Sequence, residues 1–175
     1  MPKSLYILFL SFALTFLPGS LIFGQNLLRN CKLENIEGCP NNSGQIQKCE
    51  HWMSPGDGTP DYVHACNNGN YSVPNNIWGS EAAHSGNGYI NFILYYPTAS
   101  NPDYREYVTG ILDCEMQAGQ QYEISFYVSL ADGCHYAIDG LGAYFSQTIP
   151  QQGGSNLDQE IDIGSATIIE MPGGQ

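Results

Sequence analysis

Tyr122-Glu123-Ile124-Ser125-Phe126-Tyr127-Val128-Ser129-Leu130 carries the clearest periodicity in the chain. Tyr122, Ile124, Phe126, Val128 and Leu130 take every second position, alternating with Glu123, Ser125, Tyr127 and Ser129. A period of two puts one set on the core side of a half-buried strand and the other toward water. Tyr89–Tyr95 reads as a second, more apolar strand, and Leu27–Glu34, Glu106–Leu112, Gly142–Gln147 and Ile161–Ile169 as shorter ones. Turn-forming clusters punctuate them: Asn41-Asn42-Ser43-Gly44, Pro55-Gly56-Asp57-Gly58, Asn67-Asn68-Gly69-Asn70 and Gln151-Gln152-Gly153-Gly154. No window keeps a helical apolar stripe, so the reading is an all-β sandwich. Ile36–Ser85 is long and reads as poor in strands. A loop of that length in a compact domain is functional or stapled.

The chain has 175 residues, which suits one domain. Five Lys and Arg against 17 Asp and Glu give a net charge of −12. Nucleic acid and anionic membranes both demand a dense basic face, so neither is expected as a partner. A hydrophobic fraction of 42%, with 12 Tyr, 7 Phe and 2 Trp, can fill a core and argues against intrinsic disorder.

Residues 1–24 read as a secretory signal peptide. Lys3 is the basic start, Leu5–Leu17 the uncharged apolar run, Pro18-Gly19 the break and Gly24 the small residue before the cut. The alternative is retention of Ser4–Asn26 as an anchor helix. Cleavage leaves residues 25–175 with no membrane insertion. All six cysteines (Cys31, Cys39, Cys49, Cys66, Cys114 and Cys134) lie in that part, and an even count after export argues for disulfides.

Asn26-Leu27…Asn30-x-x-Leu33-Glu34 resembles the opening strand of jelly-roll carbohydrate-binding modules with a galactose-binding-like fold. Further segments resemble exported N-terminal domains of Bacteroidota cell-surface proteins, including those that precede an OmpA-like domain. They are Cys39-Pro40, Trp52-x-Ser54-Pro55, Gly58-Thr59-Pro60-Asp61-Tyr62, Ala65-Cys66, Val73-Pro74-Asn75-Asn76 and His84-Ser85-Gly86-Asn87-Gly88-Tyr89. Arg105-Glu106-Tyr107, Ala118-Gly119-x-x-Tyr122, Ser125–Asp132 and Gly142–Ser146 continue the series. The resemblance implies a jelly-roll β-sandwich over residues 25–175, associated with the cell surface or outer membrane or secreted. No counterpart of the family's closing strands is found before Gln175, so the expectation is a C-terminally incomplete domain with downstream domains as its neighbours. Cys39 and Cys66 fall in the resembling segments and bracket the long loop, and are paired on that basis. The other four cysteines are expected to form two more bridges. Glu34 stands where such modules often hold a structural calcium, the one cofactor the resemblance implies.

Other constellations have a plainer alternative. Cys49-x-His51 and His64-x-Cys66 offer a Cys2His2 zinc set, but each half is mixed and a disulfide competes for Cys66. Asp158-x-Glu160-x-Asp162-x-Gly164-x5-Glu170 nearly copies an EF-hand loop, with its glycine and last glutamate each one residue late; an edge strand is the other reading. The Pro55–Asp61 loop carries calcium-type oxygens or is an ordinary turn. No nucleophile elbow, His-Glu-x-x-His or phosphate loop occurs, so no enzyme is expected.

Sugar binding calls for aromatic faces beside planar polar groups. Trp52, Asp61, Tyr62, Trp78, Tyr104 and Arg105 are the candidates, with Tyr71, Asn75, Asn76, Glu106 and Tyr107 nearby in sequence. The expected function is a non-catalytic extracellular module binding glycan or another cell-surface ligand. The alternative is a structural or adhesion domain of a larger assembly.

Overall fold

The computed structural model describes residues 25–96, 104–135, 137 and 141–150. They form short antiparallel β-ladders with a 3₁₀ turn at Ile46–Lys48 and no α-helix among the described residues. The strands are β1 (Trp52–Met53), β2 (Asp61–His64), β3 (Asn75–Asn76), β4 (Gly79–Ser80), β5 (Gly88–Asn91) and β6 (Thr109–Gly110). β1 pairs with β6, β2 with β5 and β3 with β4. The all-β reading therefore holds.

The β2–β5 ladder sits against the core. Tyr62 faces Ile90 and Val63 faces Tyr89 across it, and both Tyr62 and Val63 are 0% exposed. The Tyr62 hydroxyl donates to the Leu33 carbonyl at 2.6 Å, which pins the N-terminal loop over the strand. Gly88 lets this happen, because a Cβ there would lie 2.7 Å from the Tyr62 hydroxyl. Ile46, Cys49, Pro40 and Pro60 are buried with them, and the Cys39–Cys66 disulfide closes the loop around this set.

β1 and β6 continue beyond their pairing. Ile111 N–H donates to His51, Arg29 N–H to Ile111, and Asp113 N–H to Leu27, so 109–113 has 27–29 on one side and 51–53 on the other. Asn30, at φ 47°, organises the loop that follows. Its Oδ1 accepts the N–H groups of Glu34 and Asn35, and its Nδ2 donates to Asn35 O, Glu50 O and Cys49 Sγ.

Three expectations need correction. Ile36–Ser85 is the heart of the molecule: it holds β1 to β4 and every residue of the apolar core named above. Its strands run only two to four residues, too short for periodicity to register. Tyr122–Leu130 and Gly142–Gln147 are not ladder strands, since neither finds a backbone partner among the described residues. The alternation persists in burial alone, with Ile124 and Phe126 half-buried between exposed neighbours. Finally, Cys31, Cys49, Cys114 and Cys134 are thiols and make no further bridges. Cys49 is sealed in the core while the other three lie at the surface. Of the remaining strand readings, Tyr89–Tyr95 leaves its ladder after Asn91, Glu106–Leu112 pairs at its end, and Leu27–Glu34 keeps one bridge at Leu28. The leader, Ile161–Ile169 and the EF-hand-like stretch lie outside the described residues.

Candidate functional site

The sequence-predicted ligand residues fall into separate surroundings. Trp52 lays its indole against Gly110 and donates its Nε1–H to Asn30 O at 3.2 Å, as a brace for β1 and β6. Tyr62 is wholly enclosed and offers no surface to a ligand. That is a correction: the alternation of a four-residue strand does not say which face is covered, and here both are.

Asp61 and Tyr104 belong to a buried carboxylate node with Glu106. Glu106 is 3% exposed, and its Oε1 accepts the Thr59 N–H, the Thr59 hydroxyl and the Tyr104 hydroxyl. Its Oε2 accepts the Ile93 N–H at 2.8 Å. Asp61 is 8% exposed and accepts the Gly44 N–H. Burial pushes the Asp61 carboxyl up to about 6; the Glu106 charge adds to this and the Gly44 N–H opposes it. Burial also raises the Tyr104 phenol. This node knits loop 58–61 to the turns at 93 and 104, and its hydrogen bonds point inward.

Arg105 is exposed at the same corner, its guanidinium 5.9 Å from the Tyr95 ring centroid. Cation–π contacts of this kind hold both side chains at the surface.

Trp78 marks a different place. The β3–β4 hairpin and the turn before it enclose an open depression of about 260 Å³ lined by Gly69, Asn70, Asn75, Asn76 and Ile77. Trp78 follows directly and meets Tyr71 edge-on, ring centroids 5.8 Å apart at 63°. Asn76 is structural: its Nδ2 donates to the Tyr89 hydroxyl at 2.6 Å and its Oδ1 accepts the Trp78 N–H. The carboxamides of Asn70 and Asn75 make no hydrogen bond to other described residues, and Ile77 is 53% exposed on the same wall. Asn70 and Ile77 were not legible as site residues, because Asn67–Asn70 reads as turn punctuation.

The residues of the metal readings make contacts of their own. Glu34 Oε1 accepts the Asn87 N–H at 2.6 Å and Oε2 the Asn87 Nδ2 at 2.7 Å. Partial burial alone would raise the Glu34 carboxyl. The Asn87 backbone and side-chain donors, His64 and the Gly88 N–H outweigh this and hold it below its ordinary value. Through these bonds Glu34 clamps turn 84–88. Gly86 completes the clamp at φ +72°, where any Cβ would collide with the carboxylate. For zinc, Cys66 is in the disulfide and His64 Nδ1 accepts the Cys66 N–H at 3.0 Å. Burial pushes the Cys49 thiol up to about 12, helped by Glu50 and Glu34 against the Asn30 hydrogen bond. Among the described residues no three His, Cys, Asp or Glu side chains gather to hold a metal. In the Pro55–Asp61 loop, Ser54 Oγ spans the carbonyls of Gly56 and Gly58, as in a closed turn.

No protein-family model, curated protein or solved structure matches this chain.

Proposed function

We propose that the protein is a non-catalytic exported module, a jelly-roll domain of the galactose-binding-like class found at Bacteroidota cell surfaces, whose ligand is a glycan. The observation that carries the reading is the β3–β4 depression, where the Asn70 and Asn75 carboxamides, unbonded to other described residues, stand beside Ile77, with the Tyr71–Trp78 pair next to these residues in sequence. A carboxamide is planar and both donates and accepts, which matches adjacent sugar hydroxyls. The aromatic pair and Ile77 supply the apolar surface a pyranose face needs. The site thus keeps Trp78 from the sequence-derived set and adds Asn70, Asn75 and Ile77. Export is supported by the leader-like residues 1–24 and by the Cys39–Cys66 disulfide, a bond at home in oxidising compartments. No helix among the described residues is long and apolar enough to cross a membrane.

A glycan array followed by titration tests this. Binding to some polysaccharide should weaken by about 1–2 kcal/mol in Asn75→Ala and in Trp78→Ala, while Arg105→Ala leaves it unchanged. Silence across the array would favour the second reading, a structural or adhesion domain of a larger assembly. The exposed apolar stretch at Tyr127–Leu130 favours that reading.

A further inference from the structure

Gln121–Leu130 runs without a turn or bend, and its backbone makes no hydrogen bond to other described residues. The segment is nevertheless held in place. The Tyr122 hydroxyl accepts the Gln117 N–H at 2.7 Å at one end. At the other, Ser129 Oγ donates to Glu81 at 2.7 Å, Asp132 accepts the Ser80 N–H at 2.9 Å, and the Tyr127 ring stacks on His84 at 3.4 Å. Between these anchors lies an edge whose N–H and C=O groups are unpaired among the described residues, with strand-forming side chains. Such an edge is a template for another strand. Tyr127 is 75% exposed and Val128 62%, with Leu130, Phe145 and Ile149 also exposed in this part of the chain. An apolar surface of this kind marks an interaction site.

We propose that Tyr122–Leu130 is a self-recognising edge strand, through which two copies of this chain join as an antiparallel pair centred on Phe126. The sequence is complementary to itself in that register. Tyr122 then faces Leu130, Ile124 faces Val128 and Phe126 faces Phe126, all on one side. Ser125 faces Tyr127 and Glu123 faces Ser129 on the other, so the one charge in the segment meets a hydroxyl rather than its like. A slip of one residue would set the apolar row against the polar row, which selects against it. The segment contains no Pro or Gly to break pairing. A twofold contact of this type is the commonest way identical chains associate. The net charge of −12 opposes it, and salt that screens charges beyond about 8 Å should strengthen the pair.

Sedimentation velocity of the full chain across a wide concentration range, at low and high salt, reads the association. A monomer–dimer equilibrium that tightens with salt is expected. Val128→Lys, at a side chain exposed in the single chain, should keep the fold by circular dichroism yet weaken the dimer about tenfold or more. Opposed backbones lie about 4.5–5.5 Å apart at Cα in an antiparallel ladder, within disulfide reach. Phe126→Cys, with Cys31, Cys114 and Cys134 changed to Ser, should therefore oxidise to a covalent dimer. Three results would each overturn the proposal: a monomer at every concentration; a dimer indifferent to Val128→Lys that fails to cross-link at 126; or amide protection over 122–130 that is independent of concentration, meaning that the chain covers its own edge.

Discussion

Replacing Asp61 by asparagine should stabilise the protein at neutral pH and do almost nothing in acid. Asp61 lies almost wholly inside, accepts one N–H from Gly44 and shares its surroundings with the Glu106 carboxylate. Its folded pKa of about 6 stands above the ordinary 3.8. The folded chain therefore holds a proton that the unfolded chain has released throughout the window between those values. Stability is complete below the lower value, falls as pH rises through the window, and stays reduced above about 6. At 1.36 kcal/mol per pH interval of one, ionising Asp61 costs the folded state about 3 kcal/mol at pH 7.5, a large share of a typical domain's stability. The Asp61→Asn side chain keeps an acceptor for the Gly44 N–H and nearly the same volume while removing the charge. Urea unfolding with the disulfide intact, at pH 4 and pH 7.5, measures the difference. The variant should exceed the wild type by up to about 3 kcal/mol at the higher pH, and the two should coincide within about 0.5 kcal/mol at the lower. Equal effects at both pH values, or a less stable variant at pH 7.5, would show that Asp61 is not the strained, proton-holding group described.

Non-reducing peptide mapping should find Cys39 linked to Cys66 and the other four cysteines as thiols; Cys49 should resist alkylation until the chain unfolds, being both buried and pushed to about 12. Breaking that disulfide should lower stability by about 3–4 kcal/mol, from the loop entropy of its 27-residue separation. Gly88→Ala should cost about 1–3 kcal/mol in the same unfolding assay, because the new methyl meets the enclosed Tyr62 phenol; a neutral result would mean that the β2–β5 contact is looser than the structure shows.

How far the site could be read from sequence depends on the kind of residue. Trp78 was legible as an aromatic in a polar loop, and Glu34 as a carboxylate with a fixed task. Its Asn87 partner was not legible, since those donors reach the carboxylate only once turn 84–88 has packed against it. Tyr62 and Asp61 were misplaced for a related reason. A residue in a Gly- and Pro-rich stretch looks exposed, yet Tyr62 is covered by a loop from far earlier in the chain, through Leu33. Glu106 gathers donors from Thr59, Ile93 and Tyr104, which converge on it only once the chain has folded back on itself.

The sequence by itself determined that this protein is built of β-structure, because strand-forming side chains at alternate positions and Gly, Pro and Asn turns act locally. Its acidity and the shortage of Lys and Arg equally set which partners to expect without reference to any fold. Pairing is a non-local property, and there the tertiary structure decided. A ladder needs a second strand to supply N–H and C=O groups, and alternation records only the capacity to receive one. Short β2 and β5, with little periodicity between them, became the best-buried ladder because Tyr62 and Val63 close over the core. Tyr122–Leu130, with the strongest alternation in the chain, finds no backbone partner among the described residues.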